Sequence, residues 1–133
     1  MIVVDTSAIM AILLNEPEAD SCIAAIEGED EIVISSGTLA EILIVAGRRN
    51  VGEEAALLLD GLGLDVAPVT PGSAKRIAEV YALWGKGVHP AGLNFGDCFA
   101  YEIAKGRNCP LLFVGDDFSK TDIGNARADT TGG

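Results

Sequence analysis

Short apolar runs alternate along the chain with longer stretches in which apolar positions recur at helical spacing. Ile2 to Val4 is apolar and too short for a helix, and Asp5-Thr6-Ser7 behind it offers side chains that cap one. A strand, a tight turn and a helix from Ala8 to Leu14 are predicted. Pro17 and Glu18 open a second helical pattern that places Ala19, Cys22, Ile23 and Ile26 at helical spacing and ends at Gly28. Glu31 to Ser35, with Ile32-Val33-Ile34 at its centre, predicts a second buried strand.

Ser36 offers a cap for a helix from about Thr38 to Gly47, and Gly52 to Leu62 has the Ala and Leu content of another. Leu64 to Val69 predicts a third strand. Pro71 opens an amphipathic helix carrying Ala74, Ile77, Ala78, Val80, Tyr81 and Leu83, which Gly85-Lys86-Gly87 stops. Gly85 to Gly96 is the longest predicted loop, a length that often signals function. Gly96 to Lys105 returns to a helix, Pro110 to Val114 predicts a fourth strand broken at Gly115-Asp116-Asp117, and residues 124–133 predict a frayed tail. Strands alternating with helices imply crossover connections and a parallel sheet covered on both faces. The fold class is therefore α/β, a three-layer αβα sandwich with a short central parallel sheet, in a single domain over residues 1–133.

Composition sharpens this only in places. Hydrophobic residues are 49% of the sequence and aromatics 5%, so the core is built from Ile, Leu, Val and Ala. Cys22, Cys98 and Cys109 form no C-x-x-C pair and leave one unpaired in any disulfide scheme, which suits a reducing, cytoplasmic location. The first residues have no basic segment, and no run approaches the ~18 to 20 apolar residues of a membrane span. Charge has more to say. Twenty Asp and Glu stand against nine Lys and Arg, opposite to the basic footprint with which most nucleic-acid binders hold phosphate. That argument against nucleic acid weakens if the acids hold divalent cations, which reverse the local field; the surplus also suits a basic protein partner.

In a parallel sheet, ligands bind beyond the carboxyl ends of the strands. Asp5 follows the first predicted strand, and Asp116 and Asp117 follow the fourth. Glu41 lies early in the helix after the second strand, and Asp97 in the first turn of the helix after the long loop. Each alone has an ordinary explanation, since acids favour first helical turns and turns. Together they are harder to explain, because Glu41 and Asp97 sit among residues that otherwise read as buried, and buried carboxylates need a partner. A divalent metal is the simplest one, and oxygen donors without a histidine cluster select Mg²⁺ or Mn²⁺. Metal-assisted phosphodiester hydrolysis is the chemistry such a site offers. His89, the sole histidine, reads as a loop residue, Cys98 as a buried inert thiol, and Tyr81 and Trp84 as packing.

Four segments, Val3-Val4-Asp5-Thr6-Ser7-Ala8, Thr38-Leu39-Ala40-Glu41, Leu93-Asn94-Phe95-Gly96-Asp97-Cys98 and Leu111 to Phe118, resemble in order and spacing a PIN domain of the VapC toxin type. The resemblance runs from the first strand to Thr121-Asp122-Ile123. It implies a metal-dependent endoribonuclease, the toxin of a toxin–antitoxin pair. Asp5, Glu41 and Asp97 would be catalytic metal ligands, with Thr6, Ser7 and Asn94 as polar support. The fourth acid falls to Asp116, with Asp117 as its rival, because this chain has Gly115-Asp116-Asp117-Phe118 where many relatives have Thr-x-Asp. The resemblance further implies an RNA substrate, a homodimer and a cognate antitoxin. A receiver-like module would carry a phosphoacceptor aspartate after a central strand, where this chain has Ser35-Ser36 or Val69-Thr70. An aspartate-nucleophile phosphatase would need an aspartate in place of Ser7. A silent PIN-like scaffold is the remaining alternative.

Overall fold

Successive side chains of a strand point to opposite faces of its sheet, and the short apolar runs of this chain have apolar residues at both phases. Three of the four are buried on both, while the third in chain order leaves Asp65 and Val66 exposed. In the computed structural model, which describes residues 1–127, β1 (Ile2–Val4), β2 (Ile32–Ser35), β3 (Asp65–Ala67) and β4 (Leu111–Leu112) form one sheet in the order β3-β2-β1-β4, every pairing parallel. Around it lie α1 (Thr6–Leu13), α2 (Ala19–Glu27), α3 (Ser36–Arg48), α4 (Gly52–Gly61), α5 (Pro71–Trp84) and α6 (Phe95–Gly106). Val3, Val33, Leu111 and Phe113 pack toward residues of α5 and α6, among them Ile77, Ala100 and Tyr101. Ile2, Val4, Ile32, Ile34 and Leu112 pack toward α1 to α4 through Ile9, Cys22, Ile42 and Leu59. The expected αβα layering is the one observed.

The strand order positions the site. The chain steps outward from β1 to β2 to β3, then returns to lay β4 on the other side of β1. The direction of winding reverses between β1 and β4, and a crevice opens at the carboxyl ends of strands at such a reversal. Asp5 follows β1 and the Gly115-Asp116-Asp117 turn follows β4, the two strands that flank the reversal.

Most element ends shift by one or two residues from expectation, and three differences go further. Ser35, not Ser36, caps α3: its Oγ accepts from the Gly37 N–H at 3.2 Å, and Ser36 Oγ accepts instead from the Val69 N–H at 3.1 Å. The long loop is slightly shorter than predicted, running from residue 85 to residue 94. It is pinned at its base by the Leu93 N–H donating to Trp84 O at 3.0 Å and the Lys86 N–H donating to Leu93 O at 2.9 Å, and it buries Ala91 and Leu93. The chain also stays attached past Gly124: the Leu111 N–H donates to Gly124 O and the Ala126 N–H to Leu111 O, both at 2.9 Å. β4 thus gains a further parallel neighbour at Asn125, and of the expected tail only 128–133 lies outside the described residues.

Candidate active site

Asp5 stands where β1 ends and α1 begins, and is only 3% exposed. It is the N-cap of α1: Oδ2 accepts from the Ser7 N–H at 3.0 Å and from Ser7 Oγ at 2.6 Å. That satisfies one carboxylate oxygen. The other, Oδ1, is buried with no hydrogen-bond partner among the described residues, a costly state for half of a carboxylate unless something occupies it. Ser7 has a second role, because its Oγ accepts from the Val114 N–H at 3.0 Å and so ties the first turn of α1 to the strand end that precedes Gly115.

Glu41 reaches the same place from α3. Thr6 Oγ1 donates to Glu41 Oε1 at 2.5 Å, so consecutive residues of α1 hold the two acids, Thr6 the glutamate and Ser7 the aspartate. The close approach of α3 to α6 depends on glycine. A Cβ on Gly96 would overlap the Glu41 carboxylate, and one on Gly37 would overlap the Phe99 ring.

Asp97 arrives with α6. Asn94 caps this helix, its Oδ1 accepting from the Asp97 N–H at 2.8 Å, while Asp97 Oδ2 accepts from the Asn94 N–H at 3.0 Å, a reciprocal capping box. The ordinary structural role of an acid in a first helical turn is therefore real for Asp97, as for Asp5. Each commits one oxygen to a cap and keeps one free.

The acids also act on one another's charge. Burial pushes the Asp5 carboxyl up to about 6 against the Ser7 hydrogen bonds, and Glu41 adds to the rise. Burial likewise raises Asp97 to about 7, opposed by the Asn94 N–H and reinforced by the charges of Asp5, Asp117 and Glu41. Among the described residues, no Lys or Arg comes within ion-pair distance of Asp5, Glu41 or Asp97. Asp116 and Asp117 are both exposed. Asp117 is among the acids that act on Asp97, whereas the recorded bond near Asp116 is to its backbone, Ser119 Oγ donating to Asp116 O at 2.6 Å.

Among the described residues, no three of these side chains close to the spacing of a preformed metal cage. The donors still fit a hard cation. They are all oxygens, they repel one another without it, and Asp5 Oδ1 has nothing else to bind. Mg²⁺ typically keeps several waters and takes one or two protein carboxylates, so a complete cage is not its requirement.

The residues outside the cluster behave as structure. His89 accepts from the Ala91 N–H through Nδ1 at 3.0 Å and packs edge-on to Trp84, a loop organiser. Cys98 is buried, with its thiol pushed up to about 11 by burial, far from a reactive thiolate. Gly96 was missed as a site residue. A glycine in the first turn of an otherwise good helix, where it costs stability, is the signal that marks it.

A short parallel sheet with carboxylates gathered at its switch point describes a PIN domain, and the sequence profile of that family matches residues 2–124. The chain belongs to the PIN-domain family. Ribonuclease VapC30 of Mycobacterium tuberculosis is 40% identical over 124 residues, which take in 91% of this chain and 95% of that protein. The crystal structure of Mycobacterium tuberculosis VapC20, a Sarcin-Ricin loop cleaving toxin, superposes with a TM-score of 0.79 at 17% identity, over 96% of this chain and 100% of that one. VapBC2 from Rickettsia felis, bound to a DNA fragment from its promoter, superposes with a TM-score of 0.70 at 21% identity, over 94% and 96%.

Proposed function

We infer that this chain is a VapC-type endoribonuclease, the toxin of a toxin–antitoxin pair, which hydrolyses RNA phosphodiester bonds with Mg²⁺ or Mn²⁺. The observation that carries the reading is the placement of Asp5, Glu41 and Asp97 toward the switch point with no Lys or Arg among the described residues paired to them. Asp5 Oδ1, the free oxygen of Asp97 and the Glu41 carboxylate would hold the ion, with Asp117 the fourth acid in preference to Asp116. When bound, the ion withdraws charge from a phosphodiester and acidifies water. The protein's share is positioning. Ser7 fixes the Asp5 carboxylate by two hydrogen bonds, Thr6 fixes Glu41, and Asn94 fixes Asp97 at the start of α6, where the helix N-terminus adds positive potential toward a phosphate.

The surplus of acids suits a basic partner segment, and a cognate antitoxin is the partner proposed, with a homodimer as the working form. Among the described residues no helix is long and apolar enough to cross a membrane, in keeping with a cytoplasmic site of action.

The test is cleavage of total RNA by antitoxin-free protein in Mg²⁺ or Mn²⁺ against EDTA, comparing the wild type with Asp5→Ala and Asp97→Ala. Metal-dependent cutting that both variants lose supports the reading. Equal cutting by all three, or no cutting with either metal, overturns it.

A further inference from the structure

Beside the carboxylates, α3 and the start of α6 leave a groove of about 450 Å³ whose lining includes Gly37, Glu41, Ile44, Arg48, Phe95 and Phe99. Three features set it apart. Phe95 is 69% exposed although it is a large apolar ring in the first turn of a helix, and Ile44 is 58% exposed. The Phe95 ring is braced edge-on by Phe99, with centroids 4.9 Å apart and planes at 83°, which steadies it while leaving it open to solvent. Gly37 and Gly96 are the two positions where an added Cβ would collide with Phe99 and with Glu41, so ring and acid stand side by side because both side chains are missing.

Charge orients the groove. Glu41, Ile44 and Arg48 lie three to seven residues apart on α3 and share a face, so the groove runs from the carboxylate to a cation about 10 Å along the helix axis. In a chain with a net charge of −11, a cation at the far end of a groove that starts at the acids is suited to a strand with regularly spaced negative charges.

We propose that this groove is a nucleotide subsite, in which an unpaired RNA base next to the cleaved bond stacks on Phe95 and a neighbouring backbone phosphate pairs with Arg48. The proposal rests on the nuclease reading and deepens it. Exposed aromatic rings beside a cation are how single-stranded RNA is gripped, since every base has a face to stack and the backbone carries the charge. A subsite of this kind favours RNA that presents unstacked bases, in loops or single strands, over a continuous duplex. It is continuous with the catalytic cluster through Glu41, and that continuity favours substrate over a second copy of the chain as its occupant.

The experiment uses the full chain carrying Asp5→Asn, so that binding is read without cutting, and short single-stranded RNAs with 2-aminopurine placed at each position in turn, in Mg²⁺. Fluorescence should be quenched strongly at one position. Adding Phe95→Ala should abolish that quenching and weaken binding about tenfold to a hundredfold, as the loss of one aromatic–base stack does; Phe95→Trp should keep both. Arg48→Ala should weaken binding and lower the slope of log affinity against log salt by about 0.7. Unchanged affinity and quenching in Phe95→Ala overturns the proposal. So does a Phe95→Ala protein that falls from dimer to monomer in sedimentation while its affinity per chain is unchanged, which makes the face a contact between copies. Failure of the wild type to cut RNA would count against the nuclease reading alone, because the quenching does not require cleavage.

Discussion

The two ends of α6 treat acids in opposite ways. Near its C-terminus Glu102, 6% exposed, accepts from Arg76 Nε at 3.2 Å, and Asp122 accepts from Lys105 Nζ at 2.8 Å and from the Tyr101 hydroxyl. The Lys105 and Tyr101 hydrogen bonds hold Asp122 below its ordinary range. At the N-terminus Asp97, with Asp5 and Glu41 beside it, has no cation from the described residues and is pushed up to about 7, chiefly by burial. The described residues supply Arg76 and Lys105 to Glu102 and Asp122 and no cation to Asp5, Glu41 and Asp97, as the proposed metal site requires. The contrast separates acids paired with the protein's own cations from acids whose partners among the described residues are helix caps and hydroxyls, which burial alone would not do.

The sharpest way to break the contrast is to neutralise each end. Asp5→Ala and Asp97→Ala should each lower RNA cleavage at least about a hundredfold, the scale of losing one group that stabilises developing charge, while leaving the fold intact in circular dichroism. Variants that unfold would place these acids with the structural ones.

Next in size is the response to pH and metal. Without an ion, folded Asp5 and Asp97 keep protons that the unfolded chain, near 3.8, has given up. Their folded values are raised, so the stability they contribute is fully present below about pH 4 and is lost as pH rises through 6 to 7. In EDTA, Tm should fall between about pH 4 and pH 7. Mg²⁺ at a hundred times its Kd adds about 2.7 kcal/mol, on the order of 10 °C for a domain of this size, and should act mainly at the higher pH. A magnesium effect equal at both ends of the range, or unchanged in Asp5→Asn, would contradict the site.

A smaller effect distinguishes the neighbours in the last turn. Asp117→Ala should lower cleavage about tenfold, the lower range for a residue that supports a metal site, and Asp116→Ala should have little effect; the reverse ranking in kcat/KM would restore Asp116. Here the limits of the sequence are visible. Asp5 was legible because an acid directly after an apolar run of three residues must stand at a strand end, and Asp97 because it falls in the first turn of the helix after the long loop, among residues that read as buried. Asp116 and Asp117 differ by one residue, and the turn that aims them begins at Gly115 with φ of +103°, a conformation that the sequence permits without specifying. Glu41 was legible as a misplaced acid, but its bond to Thr6 and its seat against Gly96 join segments far apart in sequence. The same limit hid the attachment of residues 124–126, because Gly124-Asn125-Ala126 carries no apolar run that would announce backbone pairing to β4.

The mildest test addresses the other end of α6. Glu102→Gln keeps the shape of the side chain and an oxygen facing Arg76 Nε, and removes only the charge. Arg76 is 58% exposed, so solvent screens the pair and the loss of stability in urea unfolding should be about 1 kcal/mol or less. RNA cleavage should be unchanged, because no bond recorded for Glu102 or Arg76 leads to Asp97. A tenfold loss of cleavage with an unchanged unfolding midpoint would mean that α6 transmits charge or position along its length, and the division between a structural end and a ligand-awaiting end would have to be abandoned.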